Sequence, residues 1–184
     1  MATPLYDASV PVFKNGLNVL KNILTKAIEH YGAKTTEEII KATLIEDMLP
    51  LPAHVQVASN IAKASMVRVT GISSIESWPD NEDTVEKLIE RCEKTIALLD
   101  TFTPDQLNSG TENRVRIDFR AGEMKGNSLD ANAQEYLYSY GLPFFFFHLQ
   151  VVYSILRMKG VPLGSADFLK PYVGRHLVPT ASLS

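Results

Sequence analysis

The stretch Leu142-Pro143-Phe144-Phe145-Phe146-Phe147-His148-Leu149-Gln150-Val151-Val152-Tyr153-Ser154-Ile155-Leu156 is the most apolar part of the chain. It is shorter than the roughly 20 apolar residues of a membrane-spanning helix, and Pro143, His148 and Gln150 interrupt it. It therefore reads as the buried part of a long helix that Asp130 caps, Pro143 kinks and Gly160 closes. Four consecutive Phe sweep about 300° of a helical wheel, wider than one core stripe. At least one of them must face a second packed layer, a partner subunit or a cavity. Tyr136, Tyr138, Tyr140 and Tyr153 enlarge the aromatic cluster on the same helix.

Three more segments upstream carry a helical period. Val12, Phe13, Leu17, Leu20, Leu24, Ala27, Ile28 and Tyr31 recur mostly every three or four residues, which predicts a helix over residues 8–31. Ser9 is its expected N-cap ahead of Pro11, and Gly32 its stop. Thr35-Thr36-Glu37-Glu38 opens a short helix through Ala42. After Pro50 and Pro52, a second long helix runs to Thr70 and buries Val55, Ala58, Ile61, Ala62, Ser65, Met66 and Val69. A loop over residues 72–81 holds Trp78. A third long helix, capped by Asp80 or Asn81, runs to Phe102 with Val85, Leu88, Ile89, Cys92, Ile96 and Leu99 inward.

The period then changes. Val115, Ile117 and Phe119 alternate with Arg114, Arg116, Asp118 and Arg120, a strand pattern. Ala121-Gly122 turns it into a return strand around residues 123–125. Phe168 and Leu169 are expected to pack back on the core. These elements define an all-α fold, a four-helix bundle with long crossover connections and a small β-hairpin before the fourth long helix. The expected division is one domain over residues 1–174 and a tail over 175–184.

Composition narrows the class. The chain has 184 residues, 45% of them apolar and 21% charged, enough for one real core. Eighteen Lys and Arg against 21 Asp and Glu give a net charge of −3, without a basic tract, so nucleic acid is not an expected partner. The single Cys92 cannot form an intrachain disulfide and reads as a core thiol. Met1 to Asp7 lack the pattern of a secretory signal, and Ala181-Ser182-Leu183-Ser184 is no clear address. The expected setting is cytoplasmic, with no membrane partner.

Chemistry must come from few residues. There are four His, at 30, 54, 148 and 176. His148 has Phe144, Phe145, Val151 and Val152 at helical spacing, so burial should keep it neutral and able to act as a general base. His54, in the first turn of its helix, is kept neutral by the helix dipole. His30 lies near the end of the first helix. If that end and the start of the second helix share one end of the bundle, His30, Asp47 and His54 converge, and Asp47 fixes a His tautomer. His176 reads as a surface residue. Gln56, Asn60 and Lys63 form a polar track that can orient a ligand or simply meet solvent. Tyr136, Tyr140, Phe144 and Trp78 are candidate aromatic contacts for a flat ligand.

Several stretches resemble a known family. Pro143 to His148, Tyr153-Ser154-Ile155-Leu156-Arg157, Gly160, Gly164 and Asp167-Phe168-Leu169 look like the C-terminal signature of an uncharacterised family of DinB/YfiT-like bundles, a domain of unknown function. Tyr6 to Phe13 and Asp47 to Leu51 look like its other signatures. The resemblance covers the chain to about Gly174 and implies a DinB-like four-helix bundle. In the wider superfamily a divalent metal sits on one His of the second helix and a His-x-x-x-His pair of the fourth. Here His54 and His148 match two of those ligands, while Phe144 and Val152 stand where the third would be. The expected set of cofactors and metal ligands is therefore empty.

The leading functional expectation is a metal-independent small-molecule enzyme using His acid–base catalysis. It would be an isomerase or cyclase of secondary metabolism, acting on an aromatic, phenolic or polyketide-like substrate; ring closure of the chalcone-isomerase type is one instance. His30, His54, His148 and Asp47 are the catalytic candidates. Two alternatives stand beside it, a divalent-metal DinB-like hydrolase or transferase and a non-catalytic ligand-binding dimer. A homodimer is expected if Phe145 or Phe147 faces solvent.

Overall fold

Four long helices carry the core, and each owes its position to an apolar stripe. In a computed structural model describing residues 3–180, they are α1 (Val10–Tyr31), α3 (Leu51–Thr70), α4 (Val85–Leu99) and α7 (Leu142–Met158). Met1, Ala2 and the C-terminal Ala181-Ser182-Leu183-Ser184 lie outside the described residues. The shorter elements are α2 (Thr35–Ile39), α5 (Pro104–Asn108), β1 (Arg114–Asp118), β2 (Ser128–Asn132), α6 (Ala133–Tyr136) and α8 (Ser165–Val173). The protein is mostly helical, with one two-stranded antiparallel sheet.

α1 packs on α4 and α7, and α3 packs on the same two helices. Phe13, Leu17, Leu20, Ile23 and Leu24 of α1 are fully buried, as are Val55, Ala58, Ala62 and Met66 of α3 and Leu88, Cys92 and Leu99 of α4. α1 and α7 approach closely at Gly16. A Cβ there would stand 2.3 Å from Cε1 of Phe145, so Gly16 makes room for the ring. Phe145 in turn meets Phe13 edge-on, with ring centres 5.0 Å apart.

The aromatic helix departs from the expected single kinked helix. Asp130 lies in β2, and Asn132 is the cap of α6, its side chain accepting from the Glu135 backbone N–H at 2.8 Å. Between α6 and α7, Leu137–Gly141 form a π-helical turn. Pro143 near the start of α7 has no N–H to give and its ring crowds the carbonyl four residues back, which the widened turn absorbs. The whole run Ala133–Met158 is longer than the apolar window read from sequence and is, by length and composition, sufficient to cross a membrane. Core helices share that property, and here Phe145, Leu149, Val152 and Ile155 are fully buried within the protein.

Three other boundaries are corrected. α4 starts at Val85 with Thr84 as its cap, because Asp80 and Glu82 are drawn to Arg91 instead. Ser9 is buried and donates its hydroxyl to the Leu5 carbonyl at 2.6 Å, so it does not cap α1 with its side chain. The return strand lies at Ser128–Asn132, not around residues 123–125, and pairs Val115 with Ala131 and Ile117 with Leu129. Its register follows a long connection closed by Gly126 at φ 88°, where a side chain would be strained. α8 packs on α1. Its Phe168 meets Tyr153 and Tyr172, whereas Leu169 is 49% exposed and does not return to the core.

Candidate functional site

His54 begins α3 and His148 lies in mid-α7, and the packing of those two helices brings the imidazoles together. Their Nδ1 atoms are 2.8 Å apart. Nε2 of His54 is 3.1 Å from the Leu49 carbonyl oxygen. Both residues are buried, and among the described residues Nε2 of His148 has no hydrogen-bond partner.

This geometry fixes the protons. A carbonyl oxygen only accepts, so Nε2 of His54 carries hydrogen and donates to Leu49. Neutral His54 then presents a bare Nδ1, and His148 donates its own Nδ1–H to it. His148, neutral in turn, is left with an unprotonated Nε2 and its lone pair. Neutrality follows from burial. Desolvation lowers the pKa of His148 to about 4, with the neighbouring His54 adding to it. Desolvation also lowers His54, partly offset by its bond to Leu49.

A depressed histidine pKa makes stability depend on acid. Unfolded His148 would take a proton near its usual 6.5, while the folded residue resists until about 4. The unfolded state therefore binds more protons as pH falls through that window, and stability drops. Above pH 6.5 the term vanishes, because both states are neutral. The thermal midpoint is expected to fall from pH 6.5 to pH 4, and His148→Gln to flatten that slope. An equal slope in the variant would show that His148 is not the group resisting protonation.

Against His148 stand Phe144 and Phe147, ring centres 4.6 and 5.1 Å from its own. These two rings also line a hollow of about 390 Å³ together with Phe119, Met124, Tyr140 and Pro143. Phe119 and Met124 come from the end of β1 and its connection, so the hairpin supplies one wall. Phe147 is 51% exposed on this hollow, whereas Phe145 fills the core. The four-Phe run thus serves two environments.

The other predicted site residues lie elsewhere. His30 is exposed beside Tyr31, near Gly160, with no hydrogen bond to Asp47 or His54. Asp47 is exposed in the connection to α3. The expected convergence of His30, Asp47 and His54 is replaced by the pair of His54 with His148, and the Leu49 carbonyl takes the orienting role given to Asp47. His176 is exposed and accepts from Arg175. Cys92 is fully buried, which pushes its thiol up to about 12 and leaves it inert.

The polar track is occupied by protein. Gln56 donates to Glu82 at 2.9 Å, and Asn60 accepts from Arg91 at 2.9 Å. Lys63 donates to the Glu76 carbonyl at 2.9 Å and lies 3.4 Å over the Trp78 ring. Buried Arg91 also binds Asp80 and Glu82, each at 2.7 Å. Together they clasp the segment between α3 and α4. The track and Trp78 thus hold a loop, and Trp78 also lines a separate hollow of about 280 Å³ with Arg91 and Lys94. Tyr136 is fully buried, its hydroxyl 2.9 Å from Oγ of Ser65 and accepting from Arg68 at 3.1 Å. Tyr140 and Phe144 alone among the predicted contacts line the hollow. Arg91 was missed from sequence although it sits at helical spacing on the stripe of Leu88, Cys92 and Thr95, where a charge needs partners.

The superfamily's metal does not fit these residues. Two nitrogens on one tetrahedral zinc stand roughly 3.3 Å apart, and three protein ligands are usual. Here the nitrogens face each other at hydrogen-bond distance. Among the described residues no group of three His, Cys, Asp or Glu side chains is placed to hold a metal ion.

Comparison with known proteins agrees with the architecture. The fold is similar to a crystal structure of a DinB family member protein from Shewanella denitrificans, with a TM-score of 0.78, 25% identity, and coverage of 90% of this chain and 91% of that one. It is a DinB-like helical protein. The chain belongs to the DUF1993 family, a domain of unknown function, which matches residues 5–169. No curated protein matches it.

Proposed function

We propose that this protein is a metal-independent acid–base enzyme, an isomerase or cyclase, with His148 as its general base and a flat aromatic or polyketide-like substrate in the adjoining hollow. One atom carries the reading. Nε2 of His148 is buried without a partner while the opposite nitrogen is held by His54. A buried polar atom normally finds a hydrogen bond, and this one is left for a proton that the protein does not supply. Phe144 and Phe147, which pack against the His148 ring, also line the hollow, so movement of the half-exposed Phe147 is the route by which a substrate would reach it.

Ring closure of a 2′-hydroxychalcone shows what the arrangement can do. His148 takes the phenolic proton. The oxygen adds to the conjugated double bond, charge moves to the carbonyl oxygen, and His148 returns the proton to the carbon next to it. His54, itself held by the Leu49 carbonyl, stabilises the transient imidazolium on His148 by accepting its Nδ1–H. No cofactor is consumed and atoms balance within one molecule. The α1, α3, α4 and α7 packing fits a DinB-like four-helix bundle in which α1 to α3 and α4 to α7 cross over, and the hairpin end reaches the hollow through Phe119 and Met124.

The experiment is a panel of hydroxylated chalcones and enolisable aromatic ketones. Chalcone closure is read by absorbance and ketone enolisation by deuterium exchange from solvent. Acceleration over buffer in at least one class is the expected result. No acceleration anywhere in the panel would overturn the proposal.

A further inference from the structure

We infer that Tyr140 is the acidic partner of that base, its hydroxyl donating to the substrate oxygen on which charge develops, so that the substrate is a flat conjugated ketone or phenol. The inference rests on the reading of His148 and the hollow as the active site. Tyr140, Phe144 and His148 follow one another at intervals of four along one stripe, and their ring centres are 5.3 and 4.6 Å apart in succession. Phe144 is thus a platform with a base at one side and a hydroxyl at the other. The ring centres of Tyr140 and His148 are therefore no more than about 10 Å apart, within the span of a two-ring conjugated molecule.

The choice of Tyr140 follows from what the other donors are doing. Tyr136 is bound to Ser65 and Arg68, Lys63 to the Glu76 carbonyl and Asn60 to Arg91. Ser139 already donates to the Glu135 carbonyl at 2.6 Å. Tyr140 lines the hollow, and among the described residues its hydroxyl has no hydrogen-bond partner. Burial raises the pKa of the Tyr140 hydroxyl, with Arg68 acting weakly the other way and Tyr136 adding to the rise. The hydroxyl is thus kept neutral and protonated, able to donate to an oxygen on which charge develops.

Two small probes test this by calorimetry, 4-nitrophenol at a pH where it is anionic and nitrobenzene as its neutral counterpart. Tyr140→Phe keeps the ring and removes only the donor. It is expected to weaken binding of 4-nitrophenolate about tenfold or more, and to leave nitrobenzene binding unchanged. Phe147→Ala is expected to weaken both, which places them in the hollow. Equal binding of 4-nitrophenolate by wild type and Tyr140→Phe, with nitrobenzene still bound, would overturn the role of Tyr140 and leave the hollow standing. If wild type binds neither probe, the active-site reading falls and the inference with it.

Discussion

His148→Gln is expected to lower turnover of any substrate found in the panel by about 100-fold to 10,000-fold, the usual worth of a general base. Gln can still donate to Nδ1 of His54, so the helix contact survives and the base alone is lost. His54→Gln should cost less. It leaves His148 in place but frees it to adopt either tautomer, and only one of them presents a bare Nε2. His30→Gln should leave the rate near wild type, because His30 stands exposed and apart from the pair. Rates from the three variants with purified protein decide the order. A loss confined to His30→Gln would move the chemistry to the end of α1 and contradict the account.

The largest expected effect on stability belongs to Phe145. Its side chain is fully buried between Phe13 and the face of α1 opened by Gly16. Phe145→Ala removes that contact and leaves a cavity that Gly16 cannot fill, at a cost of about 3–5 kcal/mol. For a chain of this size that is a fall in thermal midpoint on the order of 6–20 °C. Phe147→Ala, two residues on, should change the midpoint little, since its ring is 51% exposed. Thermal melts of the two variants separate the core face of α7 from its hollow face. A midpoint for Phe145→Ala within about 2 °C of wild type would show that this ring does not hold α1 to α7.

Helical periodicity located the four long helices because each buries a continuous stripe. Val12 to Tyr31 and Pro52 to Thr70 needed no tertiary information, and Gly32 and Gly71 marked their ends. The errors fall where a distant partner overrides local signals. Asp80 looked like a cap until Arg91 claimed it, and Asp130 looked like a cap until β2 absorbed it. The return strand Ser128-Leu129-Asp130-Ala131-Asn132 has little strand propensity of its own and is held by pairing with β1.

The site was legible in part for the same reason. His148 among apolar neighbours announces a buried, neutral imidazole, and His54 behind Pro52 announces a helix start. Their meeting depends on how α3 packs on α7, which no local pattern encodes. Nor does a sequence show that a main-chain carbonyl at Leu49 would do the orienting, since every residue carries one. The hairpin's Phe119 and Met124 were invisible as site residues because a long connection decides where they land.

The role of His148 as a base depends on how the histidine pair is protonated. Nitrogen-15 NMR of the imidazole rings at pH 7 reads it directly. His54 is expected to be protonated on Nε2 alone and His148 on Nδ1 alone, with Nε2 of His148 bare. An imidazolium at His148, or a proton on its Nε2, would contradict that role.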